Sequence, residues 1–220
     1  MLRKLRLLML LVAIGMFSSA PFLIVAAPNE ATMGLVYKII YFHVPSAILT
    51  LSSAIVCGVA SIGFLLMKRP KADHWAVAAA ELVVLFGAIT LVTGPIWGRK
   101  AWGVWWVWDV RLTSTLLLWM VFVAYMLLRR FGGPGSDKLS AGMALFGMAT
   151  APFIYISVNV WRTLHPQTSV IPTLPAEMAG PFWYCGIAFL ILYLALLSMR
   201  AQLEEQQARV EALYLAADEA

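Results

Sequence analysis

Charge is scarce in this chain of 220 residues: Asp, Glu, Lys and Arg together make up 12%, while 62% of the residues are apolar. A soluble domain carries about twice that charged fraction, so an ordinary water-soluble fold is excluded and lipid is the expected solvent. Cysteine is nearly absent. Cys57 and Cys185 are the only two, and neither belongs to a CxxC or CxxCH, which argues against a thiol oxidoreductase. Measured along their helices at about 1.5 Å per residue, the two also differ in depth by more than a disulfide spans. No GxxxxGK[ST] occurs, so the chain carries no phosphate-binding loop of its own. Internal repeats and low-complexity tracts are missing too, and no long polar stretch precedes Arg200.

What is present is a series of uncharged runs. A spanning helix takes about 20 mainly apolar residues, and six runs qualify, at 5–27, 44–67, 76–97, 112–128, 139–160 and 181–199. Backbone groups in hydrocarbon must bond within their own segment, so the runs are expected to be helices. The fold class is therefore all-α, a polytopic membrane protein of six transmembrane helices. Residues 1–200 form the membrane domain, with a loop at 97–114 and a polar tail at 201–220 that suits a solvated helix or a docking segment. Glu81 falls inside the third run, where pairing with a basic residue is the leading expectation. Pro152 is placed to kink the fifth helix, and GGPG at 132–135 marks a tight turn.

Eleven of the 16 lysines and arginines fall on the side of the two termini: Arg3, Lys4, Arg6, Lys68, Arg69, Lys71, Arg129, Arg130, Lys138, Arg200 and Arg209. Only Lys38, Arg99, Lys100, Arg111 and Arg162 fall on the other. The bias puts both termini in the cytoplasm and the loops 28–43, 97–111 and 160–181 outside. It also accounts for the net charge of +5 without any nucleic-acid partner. MLRKLR followed by an apolar run and Val25-Ala26-Ala27-Pro28 has a faint look of a signal peptide, but the run is long enough to span, which favours an uncleaved anchor.

The outer segment beginning at Trp97 reads WGRKAWGVWWVWDVRLTS. Five of the nine tryptophans, Trp97, Trp102, Trp105, Trp106 and Trp108, fall within it. On a continuous helix they would lie at about 0°, 140°, 80°, 180° and 20° on the wheel, forming an aromatic floor opposite Arg99, Lys100, Gly103 and Val107. Gly98 and Gly103 would let a flat ligand or another backbone approach. Tryptophan also enriches at membrane interfaces, so density alone favours a site only modestly. The ordered string with Asp109, Arg111 and a Thr113-Ser114 pair able to cap the next helix strengthens it.

Two of the three histidines lie on the same side. His43 sits where the second helix begins, and His165 in the loop before the sixth. Neutral imidazole is a common ligand of heme iron. Two imidazoles flanking a tryptophan surface suit axial ligation of a porphyrin, with Lys38, Arg99, Lys100, Arg111 or Arg162 available for its propionates. Singly, each histidine reads more readily as an interfacial hydrogen-bonder. His74, beside Lys71 and Asp73 on the inner side, reads as a flanking polar residue.

The tryptophan string, with YKIIYFHVPSA around His43 and NVWRTLHPQTS around His165, resembles the "WWD" signature of heme-handling membrane proteins, and in particular the short six-helix CcmC family. The likeness covers essentially the whole helical body. It implies non-covalent heme b held at the periplasmic face of the bacterial inner membrane, with His43 and His165 as axial iron ligands. Contacts to the cofactor would come from Trp97, Gly98, Arg99, Lys100, Trp102, Gly103, Trp105, Trp106, Trp108, Asp109, Arg111 and Arg162. The implied role is heme presentation to the chaperone CcmE, within a complex of the ATPase CcmA, CcmB and CcmD, and not catalysis. The larger relatives CcmF and CcsA carry histidines within their helices, whereas no predicted span here contains one. The readings left open are a permease subunit moving heme, for which the spans offer few midplane polar groups, and a lyase acting on apocytochrome directly. A b-type electron carrier would need paired histidines within the bilayer.

Overall fold

The computed structural model describes residues 2–168 and 171–218. Six helices follow one another: α1 (Leu2–Ala26), α2 (Ile40–Met67), α3 (Pro70–Trp102), α4 (Val110–Phe131), α5 (Ser136–Val160) and α6 (Ala176–Asp218). A 3-10 turn at Leu35–Ile39 runs directly into α2, and the described residues contain no strand. All six helices are long and apolar enough to cross a membrane. The chain is an all-α, multi-pass membrane protein.

Local chemistry explains most of the boundaries. Lys68 takes a left-handed conformation (φ 50°) after α2 and Pro70 opens α3, the arrangement in which proline's missing N–H costs nothing. Between α4 and α5 the GGPG turn places Gly133 and Gly135 at positive φ. Pro152 lies within an unbroken α5. The polar tail does not separate from the membrane domain. It continues α6 to Asp218, supported by two i,i+4 ion pairs, Arg200–Glu204 at 2.9 Å and Arg209–Glu205 at 2.7 Å.

α2 and α3 form the most extensive interface, and α2 also meets α5 and α6. α1 packs on α6, and α4 packs on α5 and α3. Lipid offers no hydrophobic drive between helices, so association depends on close packing and on polar contacts. The run Ala76 to Ala80 on α3 is fully buried and lets neighbouring backbones approach. The Trp119 indole N–H on α4 donates to the Val84 carbonyl of α3 at 2.9 Å, and Ser19 on α1 bonds Tyr184 on α6 at 2.6 Å. Cys57 and Cys185 are free, buried, and belong to separate core clusters.

At the end of the bundle that carries the termini, acids and bases pair. Glu81 meets a forked Arg200 guanidinium through both carboxylate oxygens, and the same guanidinium reaches Glu204. Arg129 pairs with Asp73. The intramembrane carboxylate therefore ties α3 to α6 and is a structural brace.

Candidate functional site

At the opposite end a cavity of about 280 Å³ opens between the helices and their connections. Both His43 and His165 line it, together with Trp97, Trp102, Trp105, Trp106 and Arg111. The histidines arrive by different routes. His43 is not in the connection before α2 but in its first turn, because the 3-10 turn carries helical geometry upstream to Ile40; the candidate span of this helix runs from Leu35 to Met67. Histidine is thus present inside a span, contrary to the sequence reading. His165 is on the irregular segment that follows α5.

The His165 Nδ1 lies 2.8 Å from the Pro166 carbonyl. A carbonyl only accepts, so Nδ1 carries the proton and Nε2 keeps its lone pair. Burial, reinforced by the nearby Arg111 guanidinium, lowers the His165 pKa to about 4. The ring is neutral at pH 7, as a metal ligand must be. His43 Nδ1 lies 2.9 Å from Thr93 Oγ1 on α3.

The tryptophan string is not one helix. α3 continues to Trp102 and stops at Gly103, whose φ of 76° is left-handed, a conformation glycine takes without steric cost. Residues 103–109 are irregular, and α4 begins at Val110. The flat floor expected from a continuous wheel is therefore replaced by walls. Trp97 and Trp102 meet edge to face at 5.4 Å, and Trp106 and Trp108 at 5.8 Å. Gly98 gives the Trp102 ring its room, since a Cβ there would lie 3.0 Å from that ring. Trp108 is 76% exposed and does not line the cavity. The Trp106 indole nitrogen is buried with no hydrogen-bond partner among the described residues, leaving a donor beside the cavity.

Asp109, and not the Thr113-Ser114 pair, caps α4: one carboxylate oxygen accepts from Leu112 N at 2.8 Å. The other accepts from the Thr163 hydroxyl, and that hydroxyl oxygen accepts from the His165 backbone N–H at 3.0 Å. The last letter of the motif is thus a clamp on the segment that bears His165. Ser114 and Thr115 instead bond back to carbonyls one turn earlier in α4.

Of the five basic residues on this side, Arg111 alone lines the cavity, with Nη1 3.5 Å from the Tyr155 carbonyl. Arg99, Lys100 and Arg162 are exposed and stand outside the lining. Lys38 is engaged elsewhere, donating to the Val25 and Ala27 carbonyls at 3.2 and 2.8 Å at the end of α1. Gly98, Gly103 and Asp109 stand outside the lining. The sequence reading missed the membrane-side wall, built by Val44, Ile48 and Leu51 of α2, Leu91 of α3 and Ile154 of α5. Within uniformly apolar runs nothing distinguishes such residues from lipid-facing ones.

The donor set fits an iron porphyrin: two imidazoles on one cavity, aromatic and aliphatic walls for a flat apolar ring, and a guanidinium with an unpartnered indole N–H for its carboxylates. Comparison with known proteins agrees. The CcmC family model, described as heme exporter protein C, matches residues 2–215. Heme exporter protein C of Bradyrhizobium diazoefficiens is 36% identical over 208 residues, covering 91% of this chain and 77% of that protein. The Escherichia coli K12 protein of the same name is 35% identical over 79% of this chain and 72% of its own length, and the Haemophilus influenzae one is 32% identical over 81% and 75%. With the family match spanning nearly its whole length, the chain belongs to the CcmC, or heme exporter protein C, family.

Proposed function

We propose that this chain holds heme b non-covalently at the periplasmic face of the bacterial inner membrane and presents it to the chaperone CcmE, working with CcmA, CcmB and CcmD in cytochrome c maturation. The family is one of heme delivery and not of enzymes. The observation that carries the reading is the convergence of His43 and His165 on one tryptophan-walled cavity.

In this reading heme is cargo. Nε2 of His43 and of His165 are its axial ligands, and Trp97, Trp102, Trp105 and Trp106 bury the macrocycle. Arg111 and the Trp106 N–H receive one carboxylate, and Arg99, Lys100 or Arg162 the other. Gly98, Gly103, Trp108 and Asp109 serve as the frame that shapes this wall. The chain contributes position: an apolar ring held by its iron and its acidic edge leaves the opposite edge for the partner to approach. The covalent chemistry belongs to heme and CcmE.

The test is transfer from purified, heme-loaded protein to CcmE. Wild-type protein is expected to yield heme-modified CcmE, and His43→Ala and His165→Ala to retain little heme and yield little product. Undiminished heme retention and transfer in both variants contradicts axial ligation, and no transfer from loaded wild type contradicts presentation.

A further inference from the structure

The neighbour of His43 carries an inference that deepens this reading and rests on it. Thr93 Oγ1 lies 2.7 Å from the Ile89 carbonyl one turn back in α3. A helical threonine hydroxyl donates its single proton back to a carbonyl one turn earlier, and the Ile89 carbonyl, which can only accept, lies nearer to it than His43 Nδ1 does. Toward His43 Nδ1, 2.9 Å away, the same oxygen can then act only as an acceptor. The imidazole then donates from Nδ1, with the Thr90 carbonyl as a second acceptor beside the ring, and in its neutral form this leaves the lone pair on Nε2. The next residue completes the seat. A Cβ at Gly94 would lie 3.3 Å from His43 Cε1 and 3.9 Å from Nδ1, so the ring rests against the α3 backbone at its one side-chain-free position there. Neither Thr93 nor Gly94 belongs to the tryptophan string.

We infer that Thr93 is a positioning residue for heme ligation: its hydroxyl accepts the Nδ1 proton of His43, fixes the ring against Gly94 and keeps Nε2 bare as an iron ligand. The bond also raises the basicity of Nε2, as partners of ligating histidines generally do. The two imidazoles are thereby presented in the same tautomer by different means, one through a helix-borne hydroxyl and the other through the Pro166 carbonyl of its own loop.

The test uses the full-length protein in detergent with Thr93→Val, which keeps the shape and removes the acceptor, Thr93→Ala as a second variant without acceptor, and Thr93→Ser, which restores it. In the heme-free protein, nitrogen NMR of labelled histidine, with His43 assigned by its loss in His43→Ala, is expected to show a single Nδ1–H tautomer in wild type and Thr93→Ser. Thr93→Val and Thr93→Ala should show a mixture. With ferric heme bound, the two acceptor-less variants should release it about tenfold faster and show a more positive midpoint potential, both rescued in Thr93→Ser. An Nδ1–H tautomer, release rate and potential unchanged in Thr93→Val and Thr93→Ala overturn the role of Thr93, provided His43→Ala loses heme. If His43→Ala keeps heme with an unaltered spectrum, the ligation reading itself fails and this inference falls with it.

Discussion

The two ends of the bundle treat charge in opposite ways. All four ion pairs found among the described residues lie at the end that carries the termini: Asp73 with Arg129, Glu81 and Glu204 with Arg200, Glu205 with Arg209. On the cavity side no ion pair closes among those residues, although Arg111 lines the cavity and Arg99, Lys100 and Arg162 are exposed in the segments that carry its tryptophans and His165. Asp109, the acid nearest to Arg111 in sequence, bonds Thr163 and the α4 backbone instead. The difference separates the bases that brace helices, Arg129 and Arg200, from Arg111, which lines the cavity with no carboxylate partner. His165 is held neutral at the cavity by burial and by Arg111, the state required of a ligand.

Glu81→Ala leaves the Arg200 guanidinium without its main partner in a partly buried position, and is expected to destabilise the protein by about 2 kcal/mol. Thermal unfolding in detergent measures this, and the heme affinity of the remaining folded protein should be unchanged. Asp109→Asn, at the other end, replaces the acceptor of the Thr163 hydroxyl. Heme release is expected to accelerate about fivefold, the equivalent of about 1 kcal/mol for a lost hydrogen bond, while the spectrum of the bound fraction stays that of the wild type.

Smaller effects sharpen the contrast. Trp106→Phe keeps an aromatic wall and removes the orphan donor, so heme affinity should fall about threefold with no loss of thermal stability in the heme-free protein, since no protein bond is broken. The pH dependence follows from the depressed pKa of His165. A group harder to protonate folded than unfolded stabilises the native state above the unfolded value near 6.5, and that contribution falls away as pH drops from there toward 4. An NMR titration should find the His165 ring neutral at pH 6 and protonated only near pH 4.

Six spans and their order were legible because the constraint is coarse: length, absence of charge and the need to bond every backbone group. The site was half legible. His43, His165, the tryptophans and Arg111 stand out as polar or aromatic residues in a background of aliphatic ones. The wheel failed at Gly103, where one left-handed residue ended α3 and turned a supposed floor into walls. The start of α2 was placed too late, since Tyr41, Phe42 and His43 carry no signal that distinguishes a helical first turn from a loop. The bond between Asp109 and Thr163 was not legible, because the two are 54 residues apart. Thr93 went unnoticed because a threonine in an apolar helix ordinarily bonds its own backbone, as this one also does.

The central claim is that one iron atom can take both imidazoles, and electron paramagnetic resonance of the ferric, heme-loaded protein tests it most directly. Wild type should give a low-spin signal typical of two nitrogen ligands, and His43→Ala and His165→Ala should each lose it, with partial recovery on adding free imidazole. A low-spin signal that survives unaltered in either single variant would mean that the substituted histidine does not bind the iron.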